Sequence, residues 1–93
     1  ASPKLPYVAK TGTYTIAIAT DYLVDCTANT FTVTLPTAVG CPGCVLVVKN
    51  SGARAITVDT TSSQTIDGAL TFLLNVQYQS ITVISDGANW KIV

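Results

Sequence analysis

Apolar and polar residues alternate with period two along most of the chain. In "TYTIAIAT" (Thr13–Thr20), Tyr14, Ile16 and Ile18 fall on one face and Thr13, Thr15, Ala17 and Ala19 on the other. In "TFTVTLP" (Thr30–Pro36), Phe31, Val33 and Leu35 point one way and Thr30, Thr32 and Thr34 the other. Side chains of a strand point alternately to its two faces, so this pattern predicts half-buried strands. No window shows an apolar stripe at helical spacing.

Further strands are predicted at Tyr22–Cys26, Val45–Asn50, Ala55–Asp59, Thr71–Leu74, Ser80–Ser85 and Trp90–Val93. Turn signals separate them at short intervals: "TAN", "VGCPG", "NSGA", "TTSSQ", "DGA" and "DGAN". Thr, Val and Ile dominate, and β-branched side chains suit a pleated surface. The fold class is therefore all-β. Short antiparallel strands and hairpins are expected to form a small sandwich or β-prism, closed by further copies of the chain. "ASPKLPYVAKTG" carries two prolines and reads as an extended N-terminal arm or linker over residues 1–12. Residues 13–93 form a single all-β domain.

Two stretches break the alternation. "VLVV" (Val45–Val48) and "LTFLLNV" (Leu70–Val76) are apolar on both faces. A strand covered on both sides has this composition. The cover is either a second copy of the chain or the centre of a small sandwich.

Three segments share a layout: "LVDCTANTFTVT", "VVKNSGARAITV" and "TVISDGANWKIV". Each reads as strand, small-residue turn and return strand. The second and third match better than the first. They predict a recurring hairpin, although hairpins of any β-protein resemble one another.

Composition sharpens this picture. A 93-residue chain is one domain and buries only about two-thirds of its unfolded surface. Yet hydrophobic residues make up 48% and charged residues 11%, where about a quarter charged is usual. Part of the surface is thus expected to be covered by another copy. Lys4, Lys10, Lys49, Arg54 and Lys91 are scattered and the net charge is zero. Binding to nucleic acid needs a basic face, so that partner is not expected. No apolar run approaches the ~18 residues of a membrane helix, and no secretory signal pattern is present, so membrane insertion is not expected either.

Candidate chemistry is sparse. The chain has no His and no Glu, which leaves Asp21, Asp25, Asp59, Asp67 and Asp86 as its only carboxylate side chains. A Ser/His/Asp triad is impossible, and an acid–base pair among these residues is a poor prospect. Asp67 and Asp86 precede Gly in turns, where Asp bonds its own backbone two residues on. Calcium held between turn aspartates is conceivable, but no EF-hand spacing supports it. Cys41-Pro42-Gly43-Cys44 precedes a strand rather than the helix a reactive thiolate needs. Three cysteines without His cannot close a zinc site within one copy. The motif reads as a turn with either a local disulfide or two free thiols. Cys26 reads as a small buried hydrophobe. No catalytic, cofactor-binding or metal-ligating residue is assigned. Trp90, in phase with Ile92, reads as a core or interface anchor before a sugar platform.

Taken in order, "ATDYLVDCTANTFTVTLPTAVG", "VLVVKNSGARAITVDTTSSQTIDGA" and "YQSITVISDGANWKIV" resemble a module of bacteriophage tail fibres and related virion fibre proteins. The likeness runs from about Thr11 to Val93. The chain departs from the pattern where Cys41-Pro42-Gly43-Cys44 replaces a G-x-x-G turn, and where Gln64-Thr65-Ile66-Asp67-Gly68 replaces an "ETIDG"-like turn. The resemblance implies a non-enzymatic, trimeric virion protein, in a tail fibre, head fibre or capsid decoration. Its expected partners are other virion proteins and a host-cell glycan or receptor. The competing reading is a monomeric carbohydrate-binding module that uses Tyr78 or Trp90.

Overall fold

A computed structural model describes residues 5–18 and 20–93. The segment 1–4 and Ala19, which the alternation had placed on a polar face, lie outside the described residues. Among the described residues there are nine strands: β1 (Tyr7–Lys10), β2 (Tyr14–Thr15), β3 (Leu23–Cys26), β4 (Phe31–Thr34), β5 (Val45–Asn50), β6 (Ile56–Asp59), β7 (Thr71–Leu74), β8 (Ser80–Ser85) and β9 (Trp90–Ile92). They form a five-stranded sheet ordered β1-β3-β5-β8-β9 and a four-stranded sheet ordered β2-β4-β6-β7. The all-β expectation holds.

The expectation of antiparallel hairpins is corrected. β1, β3 and β5 lie parallel in the larger sheet, and β2, β4 and β6 lie parallel in the smaller one. The chain therefore winds from one sheet to the other and back, laying down a rung each time. Only β7, β8 and β9 run antiparallel to their neighbours. The segments "LVDCTANTFTVT" and "VVKNSGARAITV" are not hairpins. They are successive rungs, with Leu23 beside Val47 and Phe31 beside Ile56. Only "TVISDGANWKIV" folds back on itself, as β8 and β9.

Small residues are needed where the rungs cross between sheets, because successive crossings stack closely. The Ser51 and Gly52 amides donate to the Cys26 carbonyl at 2.9 and 3.2 Å, and the Thr27 amide donates to that of Lys10 at 3.1 Å. A Cβ on Gly52 would lie 3.1 Å from the Thr27 carbonyl oxygen. Asn29 takes a positive φ of 71° in the crossing from β3 to β4, a conformation Asn tolerates.

The inward residues of both sheets form one core. Val24, Cys26, Leu46, Val48, Ile81 and Val83 come from the larger sheet, and Phe31, Val33, Ile56, Val58 and Leu74 from the smaller. Phe31, Val33 and Leu35 are buried, as their alternation predicts. Ile16 is buried too, but Ile18 is 37% exposed. The strand stops at Thr15, and the chain turns where the Asp21 amide donates to the Ala17 carbonyl at 2.9 Å.

The 1–12 segment carries a paired strand. β1 lies on the edge of the larger sheet beside β3. At the opposite edge, Thr65–Asp67 runs along β9. The Trp90 amide donates to the Thr65 carbonyl at 2.8 Å, and the Asp67 amide to that of Trp90 at 3.0 Å. The connection from β6 to β7 thus covers the β9 edge and ties the sheets together.

Candidate functional site

The side chains that face away from the core define what the surface can do. In the larger sheet, pairing places Tyr7, Leu23, Val47 and Thr82 in one outward row, and Ala9, Asp25, Lys49 and Ser80 in the next. Val45, Ile84 and Lys91 continue the face toward β9. The outward face of the three central strands therefore sets four aliphatic residues, Leu23, Val45, Val47 and Ile84, beside four polar or charged ones, Asp25, Lys49, Ser80 and Thr82. The chain itself does not bury this face; its aliphatic residues remain partly exposed. This accounts for the apolar run "VLVV": Leu46 and Val48 enter the core while Val45 and Val47 face out.

The smaller sheet differs. Its outward rows are Thr32, Thr57 and Leu73, then Thr15, Thr34, Asp59 and Thr71. Leu73 is 51% exposed on edge strand β7, and Leu70 and Val76, on either side of that strand, are exposed as well. Of the run "LTFLLNV", Leu74 enters the core, Phe72 packs partly against it, and the other aliphatic residues lie on the surface.

Each aspartate is engaged at a separate place. The Tyr14 hydroxyl donates to Asp21 at 2.5 Å and the Ala17 amide at 3.0 Å. Asp25 accepts from the hydroxyls of Tyr7 at 2.6 Å and Ser51 at 2.5 Å. Asp59 accepts from the Thr60 amide at 2.7 Å. Asp67 does not bond its own turn; it accepts from the Ile92 amide at 3.2 Å and fixes the end of β9. Asp86 does close its turn, accepting from the amides of Ala88 and Asn89 at 2.9 and 2.8 Å. Those two bonds hold its carboxyl below the usual carboxylate range. No two aspartates share a partner. Among the described residues there is no pocket and no cluster of three metal-ligating side chains.

The bonds to aspartate raise the ionisation of their donors. Hydrogen bonding to Asp25 lifts the Tyr7 phenol above its ordinary 10.0, and hydrogen bonding to Asp21 does the same for Tyr14. Cys41 and Cys44 are joined in a disulfide, with Cα atoms 5.6 Å apart. Cys26 is a free, buried thiol, and desolvation pushes it up to about 12. A thiol of that kind is a weak nucleophile.

Trp90 is fully buried, and its indole N–H donates to the Pro36 carbonyl at 3.2 Å. It offers no face to a sugar. Tyr78 is 64% exposed in a turn, with positive φ. Lys49 donates to the Tyr78 carbonyl at 3.2 Å, and its ammonium lies 5.8 Å from the ring centroid.

The residues that alternation identifies as strand faces are thus gathered into two outward surfaces. Sequence reasoning had not located these surfaces, because which strands adjoin is set by the parallel winding. No family model and no curated protein matches the chain.

Proposed function

We propose that this chain is a non-enzymatic virion structural protein. In this reading it is a trimeric module of a phage fibre or capsid decoration that presents a receptor-binding surface at the virion exterior. Its two sheets form a small sandwich or prism that trimerisation closes, among other virion proteins. The observation that carries the reading is the group of partly exposed aliphatic residues on the outward face of β3, β5 and β8, namely Leu23, Val45, Val47 and Ile84. A chain this poor in charge gains by covering such a face, since burial of apolar area is the main drive to association. The order of fibre-like motifs supplies the virion context. A host glycan or receptor would meet the turns, and the chemistry requires neither metal nor cofactor.

The test is the mass of the native particle by light scattering at two concentrations. A mass three times the 9.7 kDa of the chain is expected. A stable monomer at both concentrations would overturn the trimeric reading. It would favour the second reading, a monomeric carbohydrate-binding module, in which Tyr78 is the exposed aromatic residue.

A further inference from the structure

We propose that Lys10 is a gatekeeper: it closes the β1–β2 end of the molecule to a second copy, so that copies do not join end to end by strand pairing. This closure concerns the end of the stacked rungs and stands whether or not the sheet faces assemble.

The backbone leaves that end open. β1 is the outermost strand of the larger sheet and β2 of the smaller, and both belong to the first rung. At the far end the larger sheet is covered, because Thr65–Asp67 runs along β9. Among the described residues, only the first rung leaves both sheets unpaired at the same end. The Leu23 and Thr27 amides donate to the carbonyls of Pro6 and Lys10 at 3.0 and 3.1 Å. Backbone groups of alternate residues point to opposite sides of a strand, so those of Tyr7 and Ala9 point away from β3. Such an edge is a template for the strand of another chain.

The side chains oppose that addition. β1 continues the inward columns of the next two rungs. Val8 stands beside Val24 and Val24 beside Val48; Lys10 stands beside Cys26 and Cys26 beside Asn50. Val24, Cys26, Val48 and Asn50 are buried. The outermost rung thus carries a cation at a position that is core in the rungs behind it. Its ammonium lies 4.2 Å from the centroid of the Tyr14 ring. Tyr14 stands beside Val33 in the smaller sheet, and its hydroxyl donates to Asp21. Lys10 and Tyr14 therefore form a charged rim across the end of the core, from one sheet to the other.

The charge is also uncompensated. The sole ion pair among the described residues is Lys91 with Asp86, so no aspartate pairs with Lys10. A second copy added at this end would bury the Lys10 ammonium without a carboxylate, and an unpaired buried charge is costly. An inward-pointing charge on an edge strand is one of the devices that keep such edges from pairing.

The test compares masses in solution by light scattering at two concentrations, with the fold of each variant checked by circular dichroism. Lys10→Val should give a mass at least about twice that of wild type, rising with concentration, because its edge is open to pairing. Lys10→Arg keeps the charge and should keep the wild-type mass. Arg54→Val removes a cation from an exposed turn, matching the loss of charge, and should keep the wild-type mass as well. Amide exchange of Lys10→Val should show new protection at Tyr7 and Ala9. The gate is refuted if Lys10→Val keeps the wild-type mass at both concentrations, or if Lys10→Arg or Arg54→Val gains mass to the same extent. It is refuted also if the added copies leave the Tyr7 and Ala9 amides unprotected. Lys10→Thr takes the place of Lys10→Val if that variant does not fold; loss of fold in both assigns Lys10 to packing alone and overturns the gate.

Discussion

The side-chain amide of Asn50, the last residue of β5, donates to the carbonyl of Leu74, the last residue of β7, at 2.9 Å. One side chain thereby joins the two sheets. The same nitrogen donates to the Arg54 carbonyl at 2.7 Å, and the Asn50 oxygen accepts from the Gly52 amide at 3.2 Å. Asn50 is buried, so removing it takes this donor from two carbonyls, while the Gly52 amide keeps its bond to the Cys26 carbonyl at 3.2 Å. Asn50→Ala is expected to cost about 3 kcal/mol, since each unsatisfied buried group costs about 1–3 kcal/mol. Urea denaturation measures it. A loss below about 1 kcal/mol would mean that water satisfies these groups.

Gly52 tests the stacking of the crossings. A Cβ there would press on the Thr27 carbonyl, which is itself fixed backbone. Gly52→Ala should therefore destabilise by about 1–2 kcal/mol through overpacking. Gly12 is the matched control, with open space around the same position. Gly12→Ala should be neutral or slightly stabilising, because it restricts only the unfolded chain. Equal thermal midpoints for the two variants would argue against close stacking.

The limits of the sequence are physical and sit at particular residues. β5, β7 and β8 are legible to the residue, because turn residues bound their apolar and β-branched runs. The direction of pairing is not legible. "TANT" and "NSGARA" have the small, polar composition of hairpin turns, yet they carry the chain across the core to the other sheet. Whether the return strand lies beside its predecessor depends on what the inward residues meet, and Phe31 and Ile56 meet each other. β1 is hidden by Pro6 and by its edge position, where Tyr7 and Ala9 are exposed. The outward aliphatic face was visible only as the excess hydrophobicity of "VLVV". Its extent needed the register that sets Val47 between Leu23 and Thr82.

Alkaline pH should weaken the fold through two tyrosines. Hydrogen bonds to Asp25 and Asp21 raise the folded-state ionisation of Tyr7 and Tyr14 above 10.0. A group raised on folding contributes stability that is complete below its unfolded value and is lost as pH rises through its folded value. The Tyr7→Phe/Tyr14→Phe variant should thus be less stable than wild type below pH 10, and the gap should shrink above it. Tyrosinate absorbance gives an independent check. The chain has four tyrosines, and titration of the double variant should lack the late-ionising component. A stability gap constant from pH 8 to pH 11 would contradict the two hydrogen bonds.

Thiol counting tests the last part of the core. The chain has three cysteines; two form the Cys41–Cys44 bond and Cys26 is buried between the sheets. With its ionisation pushed up to about 12 from 9.0, Cys26 carries almost no thiolate at pH 8, and its burial blocks access. A chromogenic disulfide reagent should find no thiol in the native protein, one after unfolding, and three after unfolding with reduction. Fast labelling of the native protein would show that the rungs open at Cys26. Three thiols in the unfolded, unreduced chain would show that Cys41 and Cys44 are not bridged. Cys26→Ser sets an energetic scale for the same site. A hydroxyl there must find a partner in an aliphatic setting, at a cost of about 1–3 kcal/mol, whereas Cys26→Ala removes only a small apolar volume and should cost less.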